Sequence, residues 1–273
     1  MRMRPQRIAL GALMWVLAVL QPVAAQPAPV PMFSGFDHLT VEVSDLGRSR
    51  DFYTRVFGFD VWQDNTTNAQ YLVLGDAYLR MQEGQQPRIT EVGIGIADFE
   101  LTPVQAFLDR EGLTWQAETA VPAVKVEDRD GVRSRLLAGD SWSVVQQQTA
   151  PLKNPTSDNA IFRALSLDEV GISVTNLEVD SLFYARLLGR TGALQAGSLW
   201  YPFGHSRLRL SQTPVGQHSG VGYFAVLISN TDLEEAANAV FAAGGIIETV
   251  LTNGFSFWDP DGLRVLVHTT PML

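Results

Sequence analysis

The first regular pattern in the chain is an alternation of apolar and polar residues at positions 36–43, FDHLTVEV. Successive residues of a strand point to opposite faces, so Leu39, Val41 and Val43 share one face and predict burial against a core. The opposite face, called the polar face below, carries His38, Thr40 and Glu42. The segment is therefore predicted to be a strand with one buried face.

A helix is predicted directly after this strand. Ser44 or Asp45 supplies an N-cap, and Gly58 supplies a left-handed C-cap. Between the caps, an apolar helix face is formed by Phe52, Tyr53, Val56 and Phe57. Three short strands follow, so the segment forms one strand–helix–three-strand unit, βαβββ.

This unit repeats along the chain. Residues 37–58 align without a gap on residues 168–189, at a constant offset of 131 positions. Two weaker copies follow, with residues 91–112 and 223–245 as their opening segments. The sequence predicts an α+β fold of four βαβββ units, paired into two open, cupped mixed β-sheets with the helices on the outside.

The domain boundaries follow from the repeat. Residues 30–148 are predicted to form the first domain and residues 161–273 the second. Residues 149–160 show no periodicity, contain proline and asparagine, and are predicted to be a linker.

The polar face is expected to line each cup, because a single unit cannot cover both faces of its own sheet. Its residues in the other three units are mostly small or polar: Glu91, Gly93, Gly95, Glu169, Gly171, Ser173, Tyr223, Ala225 and Leu227. We therefore expect a cavity or a wet groove on this side of each sheet.

Residues 1–25 are predicted to be a secretory signal peptide, since three arginines precede an apolar run from Ile8 to Leu20 and Ala25 suits cleavage. That run has 13 residues, whereas a spanning helix needs about 20. The mature protein is expected to be exported to the periplasm or secreted, without membrane attachment.

Charge and cysteine content narrow the expected partners. Loss of the three N-terminal arginines changes the net charge from −9 to −12, which disfavours nucleic acid and anionic lipid. With no cysteine in the chain, disulfides, thiolate nucleophiles and thiolate metal sites are excluded. The expected partner is a small-molecule ligand, bound by a monomer or a homodimer.

The last hairpin, FWDPDGLRVLVH at residues 257–268, completes a family pattern with DHLTVEVSD and FYTRVFGF. Together these motifs resemble the vicinal oxygen chelate superfamily, which includes glyoxalase I, bleomycin- and fosfomycin-resistance proteins and extradiol dioxygenases. The resemblance covers residues 35–270. It implies two cups, in which a divalent metal is held by His or Glu in the first strand and by Glu or His in the last strand of each unit.

Carried over to the first cup, the resemblance implies first-strand ligands at His38 and Glu91. The last-strand places fall on Arg80 and on either Val145 or Gln146. In the second cup, the first-strand places are Glu169 and Tyr223, and the last-strand places are Arg209 and Leu266. Leu266 thus occupies a position where the resemblance implies a glutamate.

Neither cup keeps a complete ligand set, since a catalytic divalent site needs about three protein ligands. We therefore expect both arginines to replace the charge of a metal, Arg80 beside Glu91 and Arg209 beside Glu169. This interpretation predicts that one of the two cups binds an anionic or oxygen-rich organic molecule against Arg80 or Arg209. The other expected ligand-binding residues are Glu91 in the first cup and Glu169 and Tyr223 in the second. No catalytic residue is assigned.

Two alternatives remain. One is a divergent lyase, isomerase or ring-cleaving dioxygenase that uses His38 and Glu91 to hold iron, zinc, nickel or manganese in the first domain. The other is a scaffold with closed cups, for which the sequence offers no exposed apolar stripe. The remaining histidines, His205, His218 and His268, are expected to be solvated.

Overall fold

The computed structural model describes residues 29–118, 121–152, 160–229 and 231–270. The predicted signal peptide and residues 153–159 of the predicted linker lie outside this part of the chain. Five helices and seventeen strands are present in the described residues. None of these helices combines the length and the hydropathy that crossing a bilayer requires.

Two βαβββ units form the first half. Their elements are β1 (Phe33–Val43), α1 (Leu46–Phe57), β2 (Val61–Gln63), β3 (Gln70–Leu74), β4 (Ala77–Glu83), β5 (Arg88–Ile96), α2 (Leu101–Arg110), β6 (Trp115–Glu118), β7 (Ala123–Glu127) and β8 (Arg133–Ala138). Two further elements follow, α3 (Trp142–Gln148) and β9 (Ala150–Leu152).

The second half repeats the same order of elements. They are β10 (Ala164–Val174), α4 (Leu177–Leu188), β11 (Ala193–Gln195), β12 (Ser198–Phe203), β13 (Ser206–Gln212), β14 (Gly220–Ile228), α5 (Leu233–Ala242), β15 (Ile246–Leu251), β16 (Gly254–Trp258) and β17 (Arg264–His268). The predicted α+β class and the repeated βαβββ order are confirmed.

Strand pairing joins the two units within each half. In the first half β1 pairs antiparallel with β5, and each of these strands pairs in parallel with the last strand of its own unit, β4 or β8. The second half repeats this pattern with β10, β14, β13 and β17. Within the described ranges, one residue pair of β5 and β14, Ile89 with Val221, joins the two sheets.

The helix caps explain why the repeated motif folds in the same way twice. The Asp45 side chain accepts a hydrogen bond from the backbone N–H of Arg48, and Gly58 ends α1 with a φ of 70°. Asn176 and Gly189 play the same roles for α4. Only a glycine adopts this left-handed conformation without a steric cost.

One apolar core spans both halves. The helix α1 contributes Phe52 and Phe57 to the same core as Leu39 on its own sheet. Both rings also contact Phe257 of the second half, at centroid distances of 6.0 and 6.4 Å. The buried face of α1 thus stabilises both halves at once.

Two buried tyrosine–aspartate hydrogen bonds cross between the halves. Tyr53 of α1 donates to Asp259, and Tyr184 of α4 donates to Asp128, each at 2.7 Å. These pairs are related by the 131-residue repeat, because each half places its helix on the Asp-x-Asp-Gly turn of the other half. Burial raises the pKa of Asp259 to about 6, despite the hydrogen bond from Tyr53.

Part of the segment predicted as a linker is a strand. Ala150–Leu152 forms β9, which pairs antiparallel with β2 of the first half. A strand of three residues is too short to show a hydrophobic period, so the sequence pattern gave no sign of it.

Candidate functional site

The polar face of the second half is built around Glu169 on β10. Its side chain is only 1% exposed and pairs with Arg207 of β13, whose Nε lies 2.7 Å from Oε2. The other carboxylate oxygen accepts a hydrogen bond from the Tyr223 hydroxyl of β14. Both oxygens of this buried carboxylate are therefore satisfied within the protein.

Tyr223 reaches Glu169 because Gly171 carries no side chain. A Cβ atom at Gly171 would lie 2.0 Å from the Tyr223 ring, so the ring passes directly over this position. Burial and the charge of Glu169 raise the pKa of the Tyr223 phenol well above its usual value. Tyr223 is therefore a neutral hydrogen-bond donor.

Arg209 lies beside this group without a carboxylate of its own. Its Nε donates to the Ser198 hydroxyl at 3.1 Å, and its Nη1 contacts the Tyr223 hydroxyl at 3.4 Å. No ion pair joins Arg209 to an acidic residue in the part of the chain that the structure describes. Among the described residues, its guanidinium therefore donates hydrogen bonds to neutral oxygens alone.

The neighbouring cations are neutralised or stacked. Arg264 pairs with Glu248 at 2.6 Å and lies over the Tyr223 ring, 5.5 Å from its centroid. Arg207 and Arg209 both contact the Trp200 ring, at 4.4 and 5.3 Å. A planar guanidinium gains cation–π energy from such contacts but keeps its charge.

The predicted ion pair between Glu169 and Arg209 is wrong, because Glu169 pairs with Arg207 instead. The β10–β13 register sets Glu169 opposite Arg207 and Gly171 opposite Arg209. The structure does bring Glu169, Tyr223 and Arg209 together, through the two hydrogen bonds of the tyrosine hydroxyl. The sequence motif RLRL contains both arginines, and only the register distinguishes them.

In the first half, the corresponding place holds a buried histidine between two carboxylates. His38 Nδ1 lies 2.6 Å from Asp37, and Nε2 lies 3.4 Å from Glu91. The imidazole passes over Gly93, where a Cβ atom would lie 2.2 Å from Nδ1, and it stacks on Tyr78. Asp37 was not anticipated from the sequence, because strand alternation places it on the opposite face from His38; a register shift in β1 between Phe36 and His38 brings it into contact.

The pKa values in this group reflect its pairing. Burial lowers the pKa of His38, but the hydrogen bonds to Asp37 and Glu91 outweigh burial and raise it above its usual 6.5. Burial likewise raises the pKa of Glu91, but His38, Lys125 and Arg135 outweigh burial and lower it to about 2. The geometry therefore favours an imidazolium between two carboxylates.

Lys125 and Arg135 complete the first-half network. Lys125 Nζ lies 3.4 Å from Glu91 and 2.6 Å from Glu118, and Arg135 Nε lies 2.7 Å from Glu118. The predicted pairing of Glu91 with Arg80 is wrong, since Lys125 provides the cation. Arg80 instead donates to Gln82 at 2.8 Å.

Arg135 also corrects the predicted last strand of the second unit. Val145 and Gln146 lie on helix α3, whereas β8 follows the turn Asp128–Gly131 and places Arg135 four residues after the glycine. The signal in the sequence is that Asp128 and Gly131 lie 131 positions before Asp259 and Gly262. An arginine therefore occupies the position where the resemblance implied a ligand.

An aromatic cluster covers part of the first polar face. Trp142 of α3 packs against Trp62, Tyr71 and Tyr78, with centroid distances from 5.5 to 6.5 Å. Ser141, just before α3, donates to Asp37 at 2.7 Å. The second half has no such covering segment among its described residues.

His268 was expected to be solvated, but it is buried. Its Nδ1 lies 2.7 Å from the carbonyl of Thr270, and its Nε2 lies 3.3 Å from Asp168. The predicted solvent exposure was wrong because β16 covers the end of β17, with Gly254 opposite His268.

The donor sets do not fit a divalent metal. Both nitrogens of His38 are already paired, and Lys125 and Arg135 place positive charge beside Glu91. In the second half, Glu169 is bonded to Arg207 and Tyr223, and Leu266 offers no donor. Among the described residues, no group of three or more His, Cys, Asp or Glu side chains has the arrangement of a metal site.

The His38 network predicts a measurable titration. In an NMR titration, the His38 pKa should exceed 6.5 and should fall when Glu91→Gln removes one carboxylate. Stability from this raised pKa is fully present below pH ~6.5 and is lost as the pH rises through the folded-state value. Glu42 lies on the same strand as His38 but is bonded to Arg88, so Glu42→Gln should leave the His38 titration unchanged. A His38 pKa below 6.5 in the parent protein would contradict the network described here.

Comparison with known proteins agrees with this architecture. Residues 35–136 match the profile of the Glyoxalase family, described as the Glyoxalase/Bleomycin resistance protein/Dioxygenase superfamily. The second half repeats the motifs and strand order of this segment. Residues 35–136 therefore belong to this superfamily, which confirms the resemblance seen in the sequence for this segment.

Several solved structures are similar to this chain over most of the length of both chains. A crystal structure of catechol 2,3-dioxygenase has a TM-score of 0.70 at 18% identity, covering 88% of this chain and 89% of its own. The 2,3-dioxygenase LapB from Pseudomonas sp. KL28 has a TM-score of 0.69 at 16% identity, covering 89% and 94%.

A Mn(II)-bound glyoxalase from Novosphingobium aromaticivorans has a TM-score of 0.67 at 13% identity, covering 88% of this chain and 83% of its own. None of the curated protein sequences matches the chain. These TM-scores establish a shared fold. At identities this low, the chemistry has to be argued from the side chains.

Proposed function

We propose that this protein binds a small organic anion on the polar face of its second half, against Arg209 and without a metal. The observation that carries this proposal is the charge pattern around Arg209. Arg207 and Arg264 each have a carboxylate partner, whereas among the described residues Arg209 hydrogen-bonds to the neutral oxygens of Ser198 and Tyr223 and to no carboxylate. An arginine with a free edge suits a carboxylate or a phosphate-type group.

Glu169 and Tyr223 act as positioning residues in this proposal. The buried pair of Glu169 with Arg207 fixes the Tyr223 hydroxyl, and that hydroxyl contacts Arg209. Trp200 supports the guanidinium from the side. The arrangement therefore holds one cation in a defined place, as anion recognition requires.

Thermal-shift measurements with a ligand panel test the proposal. Aromatic acids, methylglyoxal adducts and antibiotics that bind the native state should raise the melting temperature with concentration. Arg209→Gln should remove the shift given by the anionic ligands. Arg80→Gln, the equivalent change in the first half, should leave the shift unchanged. Loss of binding in the Arg80 variant alone would place the site in the first half and contradict the proposal.

Metal analysis tests the main alternative, a metal-dependent enzyme using His38 and Glu91. Stoichiometric iron, zinc, nickel or manganese in the purified protein, lost in His38→Ala, would overturn the metal-free proposal.

We also propose that the protein acts after export. The N-terminal arginines followed by an apolar run support this proposal.

A further inference from the structure

A row of three serine hydroxyls lies next to Arg209 on the polar face of the second half. Ser198 of β12 is paired in register with Ser211 of β13, and Ser211 is paired with Ser173 of β10. Paired residues on neighbouring strands point to the same face. The Ser198 and Ser211 hydroxyls are 2.9 Å apart, and Ser198 also accepts from Arg209.

Two donors of this group have no hydrogen-bond partner among the described residues. Within the described part of the chain, the Ser173 hydroxyl and the Nη2 atom of Arg209 make no hydrogen bond. Both side chains are only partly buried. They can therefore bind a ligand without first breaking a contact inside the protein.

Two glycines keep the space beside this row open. A Cβ atom at Gly222 would lie 3.7 Å from the Ser173 hydroxyl oxygen, and one at Gly220 would meet nothing within 4 Å. Any larger residue at Gly222 would begin to fill the volume in front of Ser173. The start of β14 thus leaves room for a ligand group at the serine row.

The first half lacks this combination, although it has the equivalent arginine. Arg80 lies opposite Tyr71, as Arg209 lies opposite Trp200. The places of Ser173, Ser198 and Ser211 are held there by Glu42, Ala69 and Gln82. Glu42 is itself paired with Arg88 at 3.2 Å, and alanine and glutamine hold the other two places, so no row of hydroxyl donors lies beside Arg80.

We infer that the anionic group of the ligand is a tetrahedral oxyanion of the phosphate, phosphonate or sulfonate type rather than a carboxylate. This inference rests on the proposed anion site at Arg209 and specifies its chemistry. A guanidinium edge pairs with two oxygens of an anion, which is all that a carboxylate has. The serine hydroxyls supply donors for a third oxygen on the same centre.

Competition measurements distinguish the two kinds of anion. Methylphosphonate, inorganic phosphate, methanesulfonate and acetate are titrated separately into the full chain, with binding followed by NMR shifts of the Trp200 indole. The tetrahedral anions should bind about tenfold more tightly than acetate, because charge-assisted hydrogen bonds are worth at least this factor. Tighter binding of methylphosphonate than of inorganic phosphate identifies an organic ligand, whereas the reverse order identifies free phosphate.

The double variant Ser173→Ala/Ser211→Ala should remove this preference while acetate binding stays within about twofold. Gln82→Ala, at the place equivalent to Ser211, should change neither. If acetate binds as tightly as the tetrahedral anions in the parent protein, and Arg209→Gln abolishes both, this inference fails and the proposed anion site stands. If none of the four anions binds, the proposed function fails with it.

Discussion

Replacing Arg207 by methionine should destabilise the protein by about 3 to 5 kcal/mol, because it leaves the buried carboxylate of Glu169 without its cation. The Glu169 side chain is 1% exposed and that of Arg207 is 15% exposed, so solvent cannot take over the role of the guanidinium. The remaining hydrogen bond from Tyr223 compensates only part of the lost interaction. The free energy of unfolding, measured by urea denaturation at neutral pH, gives this loss directly.

Two further variants separate the buried pair from the neighbouring arginine. Arg209→Met removes a cation that has no carboxylate partner in the described structure, and its cost should stay below about 1 kcal/mol. The double variant Arg207→Met/Glu169→Gln should recover much of the loss, since no uncompensated charge remains buried. Equal losses from Arg207→Met and Arg209→Met would show that the register of β10 and β13 is not the one described.

Replacing Phe257 by alanine should cost about 3 to 5 kcal/mol, the usual range for a fully buried aromatic ring. Phe257 is fully buried and contacts Phe52 and Phe57 of α1. Because that helix belongs to the first half, the loss should lower the stability of both halves together. Thermal unfolding should remain a single transition with a lower midpoint.

Phe241→Ala is the matched control, because the Phe241 side chain is 67% exposed and its removal should change the stability by less than about 0.5 kcal/mol. Tryptophan signals follow the first half through Trp62 and the second through Trp200. If Phe257→Ala unfolds the second half while the signals of the first half persist, the two halves do not share one cooperative core.

The sequence predicted the order of elements well because the repeat supplies two aligned copies of each signal. The alternating first strand, the capped helix and the terminal turn all occur where the pattern placed them. The shared core was not predictable, since an apolar helix face shows only that it is buried and leaves its partner open. Phe52 and Phe57 find that partner in a strand about 200 residues further along the chain.

The candidate site was predicted as a group of residues but not as a set of bonds. Glu169, Tyr223 and Arg209 do lie together, because their parity on the polar face is a local property of each strand. Which arginine reaches Glu169 depends on the register between two strands, and two arginines in Arg-Leu-Arg share the same parity. A shift of two residues preserves the face, so alternation alone cannot distinguish Arg207 from Arg209.

Binding without a metal is tested by the affinity of methylphosphonate, or of the tightest anion from the ligand panel, before and after treatment of the protein with a metal chelator. We expect the same dissociation constant in both samples, because Arg209 rather than a metal provides the positive charge. Loss of binding after chelation, with recovery on addition of a divalent cation, would contradict it.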